Sequence, residues 1–92
     1  MSNLELPKGG LLEFPCTIAI KAMGKSTPDF DAHVTTLVLK HISNLGEGAV
    51  KTRPSKNGNF ISVTVTVTAD SREQLDNIYQ ELTDDSQVLM AL

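Results

Sequence analysis

Residues 61 to 68, Ile-Ser-Val-Thr-Val-Thr-Val-Thr, alternate β-branched apolar and hydroxyl side chains without a break. No other stretch restricts the chain as much. Successive side chains of a strand point to opposite faces, so Ile61, Val63, Val65 and Val67 must face a core while Ser62, Thr64, Thr66 and Thr68 face water. A strand with one wet face belongs to an antiparallel sheet covered on one side only. The covering layer has to come from elsewhere in the chain.

Two segments have the right periodicity to supply it. Phe30, Val34, Leu37, Val38 and Ile42 form one apolar stripe of a helix, with Pro28 suited to its first position and Asp29 and Asp31 favouring its N-terminus. Ser26 or Thr27 is the expected N-cap. Asn44 and Gly46 can supply a left-handed terminator, so the helix is expected to end near Ser43 to Gly46. Leu75, Ile78, Tyr79 and Leu82 mark a second helix, opened by capping-box spacings at Asp70/Glu73 or Ser71/Gln74.

The remaining strands frame these helices. Phe14, Cys16, Ile18, Ile20 and Ala22 alternate with Pro15, Thr17, Ala19, Lys21 and Met23, a first strand. Ala49 to Lys56 reads as an edge strand because Pro54 lacks a backbone donor. Asn57-Gly58 predicts a tight type I′ hairpin turn leading into the alternating strand. The run Gln-Val-Leu-Met-Ala-Leu at residues 87 to 92 has room for an edge strand of about five residues. The order is β-α-β-β-α-β. Two interlocked right-handed crossovers then predict an α+β, ferredoxin-like sandwich: a four-stranded antiparallel sheet ordered 4-1-3-2 with both helices on one face. Residues 1–10, with Pro7, Gly9 and Gly10, are expected to form a flexible N-terminal arm, and residues 11–92 a single domain.

Size and composition exclude several roles. A 92-residue chain buries only about 60 to 65% of the surface it exposes when unfolded, which leaves little room for a deep cleft. No segment approaches the roughly 20 apolar residues of a membrane helix, and Glu5, Pro7 and Lys8 interrupt any secretory signal, so a cytoplasmic protein is expected. The lone Cys16 forms no internal disulfide or cysteine-pair metal site and is expected as a small buried strand residue. A net charge of −3 argues against nucleic acid as principal partner.

Chemistry-bearing motifs are equally sparse. "AIKAMGKS" at residues 19–26 ends like a nucleotide-binding P-loop, but Ala19 replaces the first glycine and Ile20 to Met23 continue the strand. The better reading is a turn in which Gly24 gives backbone freedom. Gly24, Lys25 and Ser26 remain the candidate ligand-binding residues, for a small metabolite or anion near a helix N-terminus. An RNA-recognition signature aligned on Lys56 to Val63 matches only at Lys56 and Phe60, with Gly58 and Val63 where aromatics belong. Asp29 and His33, one helical turn apart, read as a solvated contact, and no metal or cofactor is expected. No constellation points to an enzyme. A non-enzymatic binding or regulatory module that self-associates as a dimer fits better, with candidate interface residues Leu89 and Ala91 at a sheet edge. The alternative is a protein-protein adaptor using the acidic second helix, through Asp76 and Glu81.

"LLEFP" at 11–15, "MG" at 23–24, "PSKNGNFISVTVTV" at 54–67 and "LDNIYQEL" at 75–82 together resemble the YbeD family of small bacterial proteins. The resemblance runs from about Leu11 to Leu92. It implies a ferredoxin-like domain similar to ACT regulatory domains and a bacterial cytosolic setting. It carries no catalytic or binding residues across.

Overall fold

The computed structural model of the chain describes residues 13–43 and 45–92. The expected arm at residues 1–10 and the expected terminator Asn44 lie outside them. The elements are β1 (Cys16–Lys25), α1 (Phe30–Leu39), β2 (Val50–Pro54), β3 (Phe60–Ala69), α2 (Arg72–Asp84) and β4 (Met90–Ala91). The sheet is ordered β2-β3-β1-β4 and antiparallel throughout. This is the ferredoxin-like arrangement that the periodicities predict.

The two best-alternated segments became the central pair. β1 and β3 run in register over ten residues, from Cys16 opposite Ala69 to Lys25 opposite Phe60. Their inward positions Ile20, Ala22, Val63, Val65 and Val67 are buried against Phe30, Val34 and Val38 of α1 and Leu75, Ile78 and Leu82 of α2. Burying each large apolar side chain of this kind contributes about 1.5–3 kcal/mol, which holds the helix layer to the sheet. Cys16, at the outer end of β1, is half-buried rather than buried.

α1 departs from its expected limits at both ends. Its N-cap is Asp29, without a side-chain capping bond, rather than Ser26 or Thr27, and Pro28 precedes the helix instead of opening it. The cause is that β1 extends through Lys25 and the Ser26 N–H still donates to Asn59 O (3.0 Å). The chain therefore needs the turn from Thr27 to Phe30 before it can coil. At the far end the Lys40 and His41 N–H groups donate back to Leu37 O (3.3 Å) and Val38 O (3.0 Å). That tightened last turn ends the helix at Leu39 while still folding Ile42 into the core. Gly46 does not take the left-handed conformation; Gly48, at φ 75°, does, just before β2.

The β2–β3 connection also differs from the expected type I′ turn. Only Gly58 has positive φ (78°), and Asn57 does not. The Gly58 N–H donates to Ser55 O (3.0 Å), and the Ser55 N–H to Phe60 O (2.8 Å). The result is a longer loop, a hydrogen-bonded turn closed by a left-handed glycine, stabilised by Asn57 Oδ1 accepting from the Asn59 N–H (3.2 Å). β2 is an edge strand and ends on Pro54, as its missing donor requires. β4 is shorter than expected, two residues, although the Leu89 and Leu92 N–H groups also donate to β1, at Met23 O (2.7 Å) and Lys21 O (2.8 Å).

α2 uses the second of its two predicted caps. Ser71 Oγ accepts from the Gln74 N–H (3.1 Å), and Gln74 Oε1 accepts from the Asp70 N–H (2.6 Å), one residue earlier than in the usual reciprocal box.

Candidate functional site

Among the described residues no element covers the face of the sheet away from the helices, and the residues of that face follow from the register. Met90, Met23, Ser62 and Arg53 form one row across β4, β1, β3 and β2. Leu92, Lys21, Thr64 and Lys51 form the next, since Lys21 and Leu92 exchange both backbone bonds. Lys25 lies opposite Phe60, and Thr17 Oγ1 meets Thr68 Oγ1 at 3.1 Å at the other end. Four cations, Lys21, Lys25, Lys51 and Arg53, thus share this face with Met23, Met90, Leu92 and Phe60. No Asp or Glu occupies any outward position of the four strands. A groove of about 210 Å³ crosses it, with Lys21 and Arg53 on its walls.

The helix layer holds the opposite charge. Six acidic residues lie between Asp70 and Asp85, and several are engaged within the chain. Glu81 accepts from His41 Nε2 (2.9 Å) and Lys40 Nζ (3.3 Å) at the end of α1. His33 Nε2 donates to Asp85 Oδ2 (2.8 Å), and Gln74 Nε2 donates to His41 O (2.8 Å). The hydrogen bonds from His41 and Lys40 hold the Glu81 carboxyl below the ordinary glutamate range. Burial acts to raise that of Asp85, but hydrogen bonds from His33 and from the Gln87 N–H (2.9 Å) outweigh it and hold the carboxyl low. Burial pushes the Tyr79 phenol up.

This polar seam between the helices was not visible in the sequence, where its partners are 33 to 52 residues apart. It takes His33 away from the expected contact with Asp29. It also occupies Glu81, which had been expected as a free recognition residue on α2; Asp76 is exposed and bonded to Arg72 Nε (3.4 Å). Among the described residues no group of three His, Cys, Asp or Glu side chains could hold a metal ion. No described helix is long and apolar enough to cross a membrane.

The expected ligand residues are placed as follows. Gly24 and Lys25 are strand residues paired with Ile61 and Phe60, so neither belongs to a loop that could wrap a phosphate. Gly24 does not have positive φ, which removes the backbone-freedom explanation. Its reason is close approach: a Cβ there would lie 2.5 Å from Gln87 O and 2.6 Å from the Phe30 ring. Lys25 is exposed on the open face, and Ser26 is exposed beside the hairpin. Leu89 is 59% exposed at the sheet edge, with Met90 at 51% and Leu92 at 54%, and Ala91 is half-buried opposite Ala22.

Fold and surface together define a small ferredoxin-like α+β domain with a basic sheet face opposite its two described helices. The family model described as "Protein of unknown function (DUF493)" matches residues 10–92, and the chain belongs to that family, the YbeD-type small bacterial proteins. A UPF0250 protein of Paraburkholderia phytofirmans is 48% identical over 82 residues, covering 89% of this chain and 92% of the relative. One of Chromobacterium violaceum is 46% identical over 85 residues, covering 92% and 96%. The solution structure of protein HP0495 from H. pylori superposes with a TM-score of 0.68 at 17% identity, over 94% of this chain and 90% of that one. That likeness concerns the fold.

Proposed function

We propose that the protein is a non-enzymatic binding module of the cytosol that works as a dimer joined edge to edge through β4, in the manner of ACT-like regulatory domains. The observation that carries this reading is the open edge itself. Lys21 and Leu92 exchange both backbone hydrogen bonds, so in an antiparallel ladder the adjacent Ala91 directs its own N–H and C=O away from β1. Outward backbone groups flanked by exposed Leu89, Met90 and Leu92 are a template for strand addition. Face-to-face stacking of two sheets would instead bring Lys21, Lys25, Lys51 and Arg53 of each copy together, and like charges oppose it.

Ala91→Pro tests the proposal, because proline removes the outward donor without touching a bond to β1. In sedimentation at tens of micromolar, the wild-type chain is expected as a dimer and Ala91→Pro as a monomer with an unchanged circular dichroism spectrum. A wild-type chain that stays strictly monomeric in that range defeats the reading.

A further inference from the structure

We propose that the groove on the open sheet face is a binding site for a small organic anion, a carboxylate or phosphate carried on an apolar body. Lys21 and Met23 of β1 stand on one wall and Arg53 of β2 on the other, with Phe60 and Ser62 of β3 between them. Among the described residues neither cation has an acidic partner, whereas Lys40 and Arg72 of the helix layer are both paired with carboxylates. Both cations that line the groove are therefore without a counterion among the described residues, as are Lys25 and Lys51 on the same face.

The chemistry of the occupant follows from what the walls offer. The Arg53 guanidinium presents a planar fork that matches a carboxylate or phosphate in two parallel bonds, and Lys21 adds a point charge. Met23 and Phe60 take up an apolar body. At about 210 Å³ the groove is smaller than the roughly 300 Å³ at which drug-sized sites begin, so the occupant is compact. A nucleic-acid strand is disfavoured: base-stacking platforms use two or three aromatics on the central strands, and this face has Phe60 alone.

This inference does not depend on dimerisation, and the monomeric Ala91→Pro variant is expected to retain the site. The experiment is an amide chemical-shift titration with phenyl phosphate, phenylacetate, inorganic phosphate, benzyl alcohol and a mixed-sequence RNA oligonucleotide. The two organic anions are expected to give saturable shifts at Lys21, Met23, Arg53 and Ser62, with Kd of about 1 mM or tighter. Inorganic phosphate, lacking the apolar body, should bind more weakly, and benzyl alcohol, lacking charge, should leave those amides unmoved. Arg53→Ala and Lys21→Ala, both at exposed positions, should each weaken phenyl phosphate by about tenfold or more, with the remaining spectrum unchanged. Raised salt should weaken binding as well. The proposal is overturned if neither organic anion gives saturable shifts there, if benzyl alcohol binds as well as they do, if Arg53→Ala changes nothing, or if the RNA alone moves the face.

Discussion

Substituting Gly24 with alanine tests the packing between β1, α1 and the segment leading to β4 at a single point. The added Cβ would lie 2.5 Å from the carbonyl oxygen of Gln87 and 2.6 Å from Cε1 and Cζ of Phe30. Neither neighbour can move cheaply. The first is backbone, and the second is a ring only 1% exposed, wedged among Val34, Val38 and the sheet. Overpacking of a tight core costs about 1–3 kcal/mol, and two contacts this short put Gly24→Ala near the top of that range, about 3 kcal/mol. In a domain of this size that corresponds to a fall in Tm of roughly 12 to 24 °C. With a urea m-value of about 2 kcal/mol/M, the midpoint should fall by about 1.5 M. Gly46→Ala is the matched control. Nothing lies within 4 Å of its added Cβ, so its stability should stay within about 0.5 kcal/mol of wild type. Combining Gly24→Ala with Phe30→Leu removes the offending ring atoms and leaves the carbonyl contact, so the double variant should regain part of the loss. The coupling in that cycle should be about 1 kcal/mol or more. A Gly24→Ala protein within about 0.5 kcal/mol of wild type, or an additive cycle, would refute the close-approach account.

Two further outcomes follow from local geometry. Gly58→Ala meets no atom within 4 Å but must hold φ near +78°, so it should lose about 1 kcal/mol in urea denaturation, and Gly58→Asn should lose less. Asp85→Asn should lose its deficit against wild type in acid: the folded carboxyl titrates below the ordinary value of 3.8, so its contribution is present above that value and disappears as pH falls through the folded one. Denaturation measured from about pH 5 downward should show the gap narrow as the pH falls below the ordinary carboxylate range, and a gap that widens instead contradicts the role assigned to the His33 and Gln87 bonds.

The fold was legible because β1 and β3 alternate so regularly and because α1 and α2 each carry one apolar stripe; those local periods determine which faces must meet. Every residue of the α1 stripe from Phe30 to Ile42 is buried as the spacing requires. What was not legible depends on partners distant in the chain. Nothing near Gly24 indicates that Gln87 and Phe30 will close over it. Nothing near His33 or His41 names Asp85 or Glu81 as their partners. The hairpin departs from expectation for a local reason, since Asn-Gly suits a I′ turn, while Ser55 and Asn57 together cap a longer loop with their side chains. The basic sheet face does leave a signal in the sequence. Lys21 shares the parity of Thr17 in β1, and the β2–β3 register sets Lys51 and Arg53 opposite Thr64 and Ser62 on the hydroxyl-bearing face of β3.

The charge separation between the two layers gives the molecule an electric dipole that points across the sheet. A negatively charged body approaching the molecule exerts a torque that turns the strands toward it and the helices away, most strongly in dilute salt. If two copies join through antiparallel β4 strands, their two-fold axis is perpendicular to the sheet and the dipoles add instead of cancelling. The pair would then present one continuous cationic floor under two grooves, and a bivalent anion spanning both would be held by avidity that neither copy has alone.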